Sequence, residues 1–233
     1  MKIIWLTSPA TINVVVDNVA LPAEWNRFIV APWTALTYMF IHIDLWHMVV
    51  NCLWLLWFGA MLNKMAGWRW VLVTYFAGGI FGAISYLSLG AISSTTSGTC
   101  LLGASAATLA VSASTLICVP NKKVKIPFIG TFTLKWVAAV GFVLLALTSI
   151  EMTTAQTVAH AGGIIAGGLC AIIWRIISRK RMNRIKIMAK QRMTHLTLVE
   201  KARRSGYASL TRDEQIQLFN TSKQNISNSA TPQ

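Results

Sequence analysis

The sequence predicts an all-α bundle of membrane-spanning helices. Its composition is 55% hydrophobic with 12% charged residues, and ten Trp and nine Phe add to that balance, which is the profile of a membrane protein. Five apolar runs approach the roughly 20 residues needed to cross about 30 Å of hydrocarbon. They are Trp46–Leu62, Trp68–Leu89, Leu101–Val119, Phe132–Ile150 and Gln156–Ile177. Backbone polar groups in lipid need internal partners, so such runs form helices.

The third observation is the placement of charge. The net charge is +14, which in a soluble chain would suggest nucleic acid. Here, however, eleven of the 21 Lys and Arg fall between Arg175 and Arg204, directly after the last run. Six more (Lys64, Arg69, Lys122, Lys123, Lys125 and Lys135) lie in or beside two short loops. The positive-inside rule makes these three places cytoplasmic. The opposite loops, Gly90–Thr99 and the turn around Glu151, carry no Lys or Arg.

Three regions follow: residues 1–45 as an external or interfacial segment, 46–177 as the membrane core, and 178–233 as a basic cytosolic tail. Met1–Val16 has neither the length of a span nor the layout of a secretory signal. The charge pattern nevertheless sets it outside, so either another helix precedes it or it is the remnant of one. Leu21–His42 is aromatic-rich and broken by Pro22 and Pro32, as expected of a loop lying on or dipping into the outer interface.

The first span carries His47 and Asn51, four apart and therefore on one face near its outer end. In the second, Gly78, Gly79 and Gly82 form a small-residue contact for close helix packing. Gly90–Thr99 is an uncharged flexible loop, and Pro120–Gly130 a basic turn. The third span holds Ser105 in Gly103-Ala104-Ser105-Ala106. In the last, Ala159, Gly163, Gly167 and Ala171 make a ridge of period four, and His160 sits beside it. Intramembrane ionisable residues are costly, so their default reading is functional. Cys52, Cys100, Cys118 and Cys170 show no metal or redox spacing, and neither a metal nor an organic cofactor is implied.

Past Ile177, a basic helix-forming stretch runs to a break at Ser205-Gly206-Tyr207. Thr211-x-x-Glu214 has the form of a capping box opening a short helix, and the polar end is expected to be disordered. A basic segment beside a bilayer also attracts anionic headgroups.

Spans one, three and five enter from outside, and their distinctive polar residues all lie within two turns of that entry. Ser105 and His160 each fall roughly 6–8 Å below the start of their spans. A serine hydroxyl is a weak nucleophile that needs a neighbouring base, most often a neutral imidazole. This gives a Ser105–His160 dyad in which His160 is base and then acid to the leaving amine. No carboxylate lies at matching depth, which leaves Asp44 and Glu151 outside the site. The tetrahedral intermediate needs donors on its oxyanion, for which Asn51, His47 and the Ser105 amide are suited. The lesser alternative, which could coexist with that role, is that Asn51 and His47 form an interhelical hydrogen-bond pair holding the bundle.

Gly103-Ala104-Ser105-Ala106, Ala159-His160-x-x-Gly163-x-x-x-Gly167 and His42-x-x-x-x-His47-x-x-x-Asn51 together resemble the signatures of rhomboid intramembrane serine proteases, in the usual order. Pro32-Trp33-Thr34-x-x-Thr37 and Phe40-x-His42 resemble that family's first external loop, and the similarity covers roughly residues 28–177. The resemblance implies a six-helix core that cuts single-span membrane proteins near the outer face of a bacterial plasma membrane, at helix-poor segments containing Gly and Ala. It implies Ser105 as nucleophile, His160 as base, and Asn51, His47 and the Ser105 amide at the oxyanion, with His42 in a structural role. The chain departs from the family in lacking a counterpart of its first helix, in Ala106 for a commoner glycine, in Leu109 where a tyrosine often underlies the imidazole, and in Thr34 where arginine is frequent. The tail motif Ser205-Gly206-Tyr207-x-Ser209-Leu210-Thr211-x-x-Glu214 resembles a short cytosolic module of bacterial membrane proteins.

Two rival readings are a silent relative that binds membrane clients and a small proton-linked transporter. Retention of both Ser105 and His160 speaks against the first. The apolar inner halves of the first and fifth spans give a proton no path, which speaks against the second.

Overall fold

A computed structural model of the chain describes residues 16, 18–42, 45–92, 99–126, 130–139 and 154–229, with side chains described as far as residue 221. In chain order the elements are β1 (Leu21–Pro22), α1 (Trp25–Val30), α2 (Thr34–Thr37), a 3-10 turn (Tyr38–Phe40), α3 (Leu45–Ala66) and α4 (Trp68–Ile92). There follow β2 (Cys100–Leu101), α5 (Ser105–Cys118), β3 (Lys123–Ile126), β4 (Gly130–Thr133), α6 (Thr154–Ser205), a second 3-10 turn (Tyr207–Ser209) and α7 (Arg212–Ser229). The fold is an all-α membrane helix bundle. Among the described residues, α3, α4 and α6 are long and apolar enough to cross a bilayer.

Contacts divide the chain into two units, Met1–Arg175 and Ile176–Gln233. In the first, α5 is the centre. Every residue from Ser105 to Thr115 is buried, which an apolar helix tolerates only when wrapped by others. The wrapping is done by small residues. A Cβ added at Gly78 on α4 would run into the Cβ of Ala110, and one at Gly163 or Gly167 on α6 would run into the carbonyl oxygens of Ala106 and Ala110. Two glycine ridges thus press backbone against α5, as small-residue patterns do where no hydrophobic force separates helix from lipid. Outward-facing side chains such as Trp46, Leu53 and Leu56 on α3 and Ile165 on α6 stay exposed, as lipid-facing residues do.

The segment before α3 folds back onto this core. Pro22 and Pro32 interrupt it into β1, α1 and α2, while Trp25, Ile29, Val30 and Trp33 remain exposed. Two tyrosines pin it to α4. The Tyr38 hydroxyl donates to the Gly79 carbonyl at 2.7 Å, and the Tyr75 hydroxyl donates to the Met39 carbonyl at 3.3 Å.

Several expected boundaries shift. The third span, expected over Leu101–Val119, is helical only from Ser105 to Cys118. Leu101 instead pairs with Leu21 in the antiparallel β1–β2 ladder, and Gly103 at φ +113° turns the chain in a region that favours glycine. The loop expected from Gly90 starts later, because α4 runs on to Ile92; residues 93–98 lie outside the described set. The expected basic turn at Pro120–Gly130 holds β3, paired with β4 from Lys123↔Thr133 to Ile126↔Gly130. Phe132, expected to open the fourth span, is in β4, and helix begins at residue 134. The rest of that span falls at residues 140–153, outside the described residues, as does most of Met1–Val16.

In the second unit the capping box forms. The Thr211 N–H donates to Glu214 Oε2 at 2.8 Å, and the Glu214 N–H donates to Thr211 Oγ1 at 3.3 Å. Lys201 donates to both carboxylate oxygens of Glu214 at 2.8 Å. These donors hold the Glu214 carboxyl below its ordinary pKa, the Lys201 hydrogen bond most of all. The helix it opens is longer than expected and reaches Ser229, so the tail expected to be disordered is helical that far.

Candidate active site

The site is built where strand, turn and helix succeed one another at residues 100–105. Leu101 is held by β1, Gly103 reverses the chain, and α5 opens on Ser105 with Ala104 as its N-cap. The turn is fastened twice: the Gly103 N–H donates to the Tyr38 carbonyl at 3.0 Å, and the Ala104 N–H donates to His42 Nε2 at 3.2 Å. Ser105 is therefore the first residue of its helix, where N–H groups precede the helix's own carbonyl ladder. It does not sit a turn inside its span, as the depth argument expected. His160 lies six residues into α6, about 9 Å along its axis. The two meet because α5 starts late.

His160 Nε2 lies 2.6 Å from Ser105 Oγ. Other hydroxyls of α5 behave differently: Ser112 donates to the Thr108 carbonyl at 2.8 Å and Thr115 to the Val111 carbonyl at 2.8 Å. That is the ordinary fate of Ser and Thr in an apolar helix. Ser105 is turned away from this back-bonding and toward an imidazole. Ala159 is fully buried and Gly163 lies against the Ala106 backbone, so the residues flanking His160 fix the helix contact that brings the two side chains together.

Asn51 and His47 come from α3. Asn51 is 6% exposed. Its Nδ2 donates to the His47 carbonyl at 3.0 Å and approaches His42 Nε2 at 3.4 Å, and its Oδ1 accepts from Thr108 Oγ1 at 3.0 Å. The His47 ring meets that of His42 edge to face at 5.5 Å between centroids, and a Cβ at Gly103 would sit 3.3 Å from His47 Cε1. Both residues thus gather at the Gly103 turn. His42 Nε2 accepts from the Ala104 amide, which fastens the turn before Ser105. Burial, and secondarily His47, pushes the His42 pKa down.

Leu109, four residues after Ser105, is buried. Asp44 and Glu151 lie outside the described residues. Among the described residues no group of three His, Cys, Asp or Glu is arranged to hold a metal ion. Thr108 was not legible as a site residue, because a threonine among alanines in an apolar helix ordinarily signals only back-bonding.

Fold and site together define a polytopic membrane protein with a hydrogen-bonded serine–histidine pair carried on two tightly packed helices. The rhomboid domain family model matches residues 31–177, and the chain belongs to the rhomboid family. No curated protein matches it.

Proposed function

We propose that this rhomboid-family protein is an intramembrane serine endopeptidase. The observation that supports it most directly is the 2.6 Å hydrogen bond between His160 Nε2 and Ser105 Oγ. In this reading His160 is neutral with its proton on Nδ1. Nε2 takes the hydroxyl proton as Ser105 Oγ bonds to the scissile carbonyl carbon. Negative charge on the carbonyl oxygen is met by the Ser105 N–H, the Asn51 amide and the His47 ring. Collapse of the tetrahedral intermediate breaks the C–N bond, with His160 returning its proton to the leaving amine. Water, deprotonated by the same imidazole, then releases the acyl group and regenerates the serine.

The substrates are transmembrane proteins, cut where a segment rich in Gly and Ala leaves helical form. The protein resides in a bacterial plasma membrane with the site toward the outer face. Residues 1–45 form the external segment, 46–177 the membrane core and 178–233 a cytoplasmic tail, whose basic residues meet anionic headgroups.

Labelling with a fluorophosphonate probe tests the assignment. Wild type is expected to label, and Ser105→Ala and His160→Ala to lose the label while keeping the wild-type thermal midpoint. Labelling that persists in Ser105→Ala refutes the nucleophile. A wild type that stays unlabelled, also when extended upstream by one helix, favours client binding without cleavage.

A further inference from the structure

We propose that Thr108 is a positioning residue for the oxyanion donor Asn51, an inference that rests on the protease reading above. Thr108 is 2% exposed, and its hydroxyl stands 3.0 Å from Asn51 Oδ1 and 3.0 Å from the Ser105 carbonyl oxygen. The Asn51 side chain has two unlike ends, a carbonyl that only accepts and an NH₂ that only donates. Its NH₂ end faces the His47 carbonyl at 3.0 Å. A rotated amide would set two carbonyl oxygens face to face there, so Oδ1 points at Thr108. That oxygen is buried and needs a donor, and the Thr108 proton supplies it.

The same proton is shared with the carbonyl of Ser105. Thr108 therefore ties the side chain that supplies one oxyanion donor to the residue that supplies another. Of the two Asn51 Nδ2 contacts, that to His42 is the longer at 3.4 Å, and it is the one a developing oxyanion can replace. Removing the Thr108 hydroxyl leaves Oδ1 buried without a donor. The amide is then held from its Nδ2 end alone, so its plane is less firmly fixed and Nδ2 is aimed less precisely at the reacting centre. Thr108 takes no part in the hydrogen bond between the Ser105 hydroxyl and the His160 ring, so the effect falls on stabilisation of the intermediate and not on the dyad.

The test is steady-state cleavage of a transmembrane-derived peptide by full-length protein, together with fluorophosphonate labelling. Thr108→Val keeps volume and β-branching, and should lower kcat about tenfold with KM unchanged, the effect of one lost neutral hydrogen bond. Thr108→Ser should restore kcat to within about twofold. In an Asn51→Ala background, Thr108→Val should have no further effect, since residues acting through one group are not additive. If Thr108→Val does not fold, Thr108→Ala is compared with Thr108→Ser in both backgrounds with the same expectation. Wild-type kcat in Thr108→Val, or an equal loss with and without Asn51, overturns the role of Thr108 while wild-type labelling keeps the protease reading intact. A wild type that takes no label overturns both.

Discussion

Gly163→Ala probes whether backbone contact sets the geometry of the site. A Cβ at Gly163 would collide with the Ala106 carbonyl oxygen, and would stand 2.8 Å from that carbonyl carbon and 3.0 Å from Ala106 Cα. Ordinary carbon contacts lie at about 3.5–4.0 Å, and the atoms met are backbone, which has no rotamer to change. Helix α6 must therefore retreat from α5 by roughly 0.7–1 Å. Gly163 follows His160 by three residues, about 4.5 Å along the axis, so most of that retreat reaches the imidazole. A separation of 2.6 Å grows past about 3.2 Å, beyond a good N···O hydrogen bond. Misplacement of this size costs on the order of 100-fold in rate. The control is Gly168→Ala on the same helix, whose added Cβ meets only Ile117 Cδ1 at 3.4 Å. Peptide cleavage and fluorophosphonate labelling should fall together in Gly163→Ala and stay near wild type in Gly168→Ala. Equal rates in Gly163→Ala and wild type, or equal losses in the two variants, would refute the reasoning.

Two further perturbations act on the turn before Ser105. Gly103→Ala must hold a side chain at φ +113° with its Cβ 3.3 Å from His47 Cε1. Left-handed backbone costs a non-glycine residue about 1–2 kcal/mol, so both the thermal midpoint and the labelling rate should drop, and an unchanged midpoint would show the turn to be slack. Acid should loosen the same turn. Burial and then His47 depress the His42 pKa, so below about pH 6.5 the unfolded chain binds a proton that the folded chain refuses. Stability is therefore full above that pH and is lost as pH falls toward the depressed value. The groups facing His42 are His47, Asn51 and the Ala104 amide. Thermal midpoints between pH 8 and 5 should slope more steeply for wild type than for His42→Gln, and parallel slopes would remove His42 from the account.

Much of the site could be read from residue types at fixed spacing. Ser105, His160, Asn51 and His47 are polar groups in apolar surroundings, and the Gly163–Gly167 ridge has a helical period that survives without coordinates. The capping box at Thr211 and Glu214 was legible for the same reason, since two positions three apart carry the whole signal. The β1–β2 pair was not, because a two-residue strand has no periodicity and its partner lies about 80 residues away. That pair moved the start of α5 to Ser105. The β3–β4 hairpin did leave a trace: Lys123-Val124-Lys125-Ile126 alternates strictly, the mark of a strand, but positive charge beside a span drew the simpler reading of a loop. Thr108 carried no trace, since its contact with Asn51 is made from another helix.

The brevity of α5 has a consequence for how the protein meets membranes of different thickness. Fourteen residues rise about 21 Å, short of the ~30 Å hydrocarbon layer, and eleven of them are enclosed by protein. Such a helix has little hydrophobic length of its own to match. Among the described residues the burden of mismatch falls on α3, α4 and α6, which tilt to accommodate it, while Ser105 and His160 stay referenced to each other through the α5–α6 backbone contact. In the protease reading proposed above, a thicker or thinner bilayer then changes which residue of a substrate stands level with the serine, more than it changes the serine itself. On that reading the lipid becomes a ruler for the choice of peptide bond.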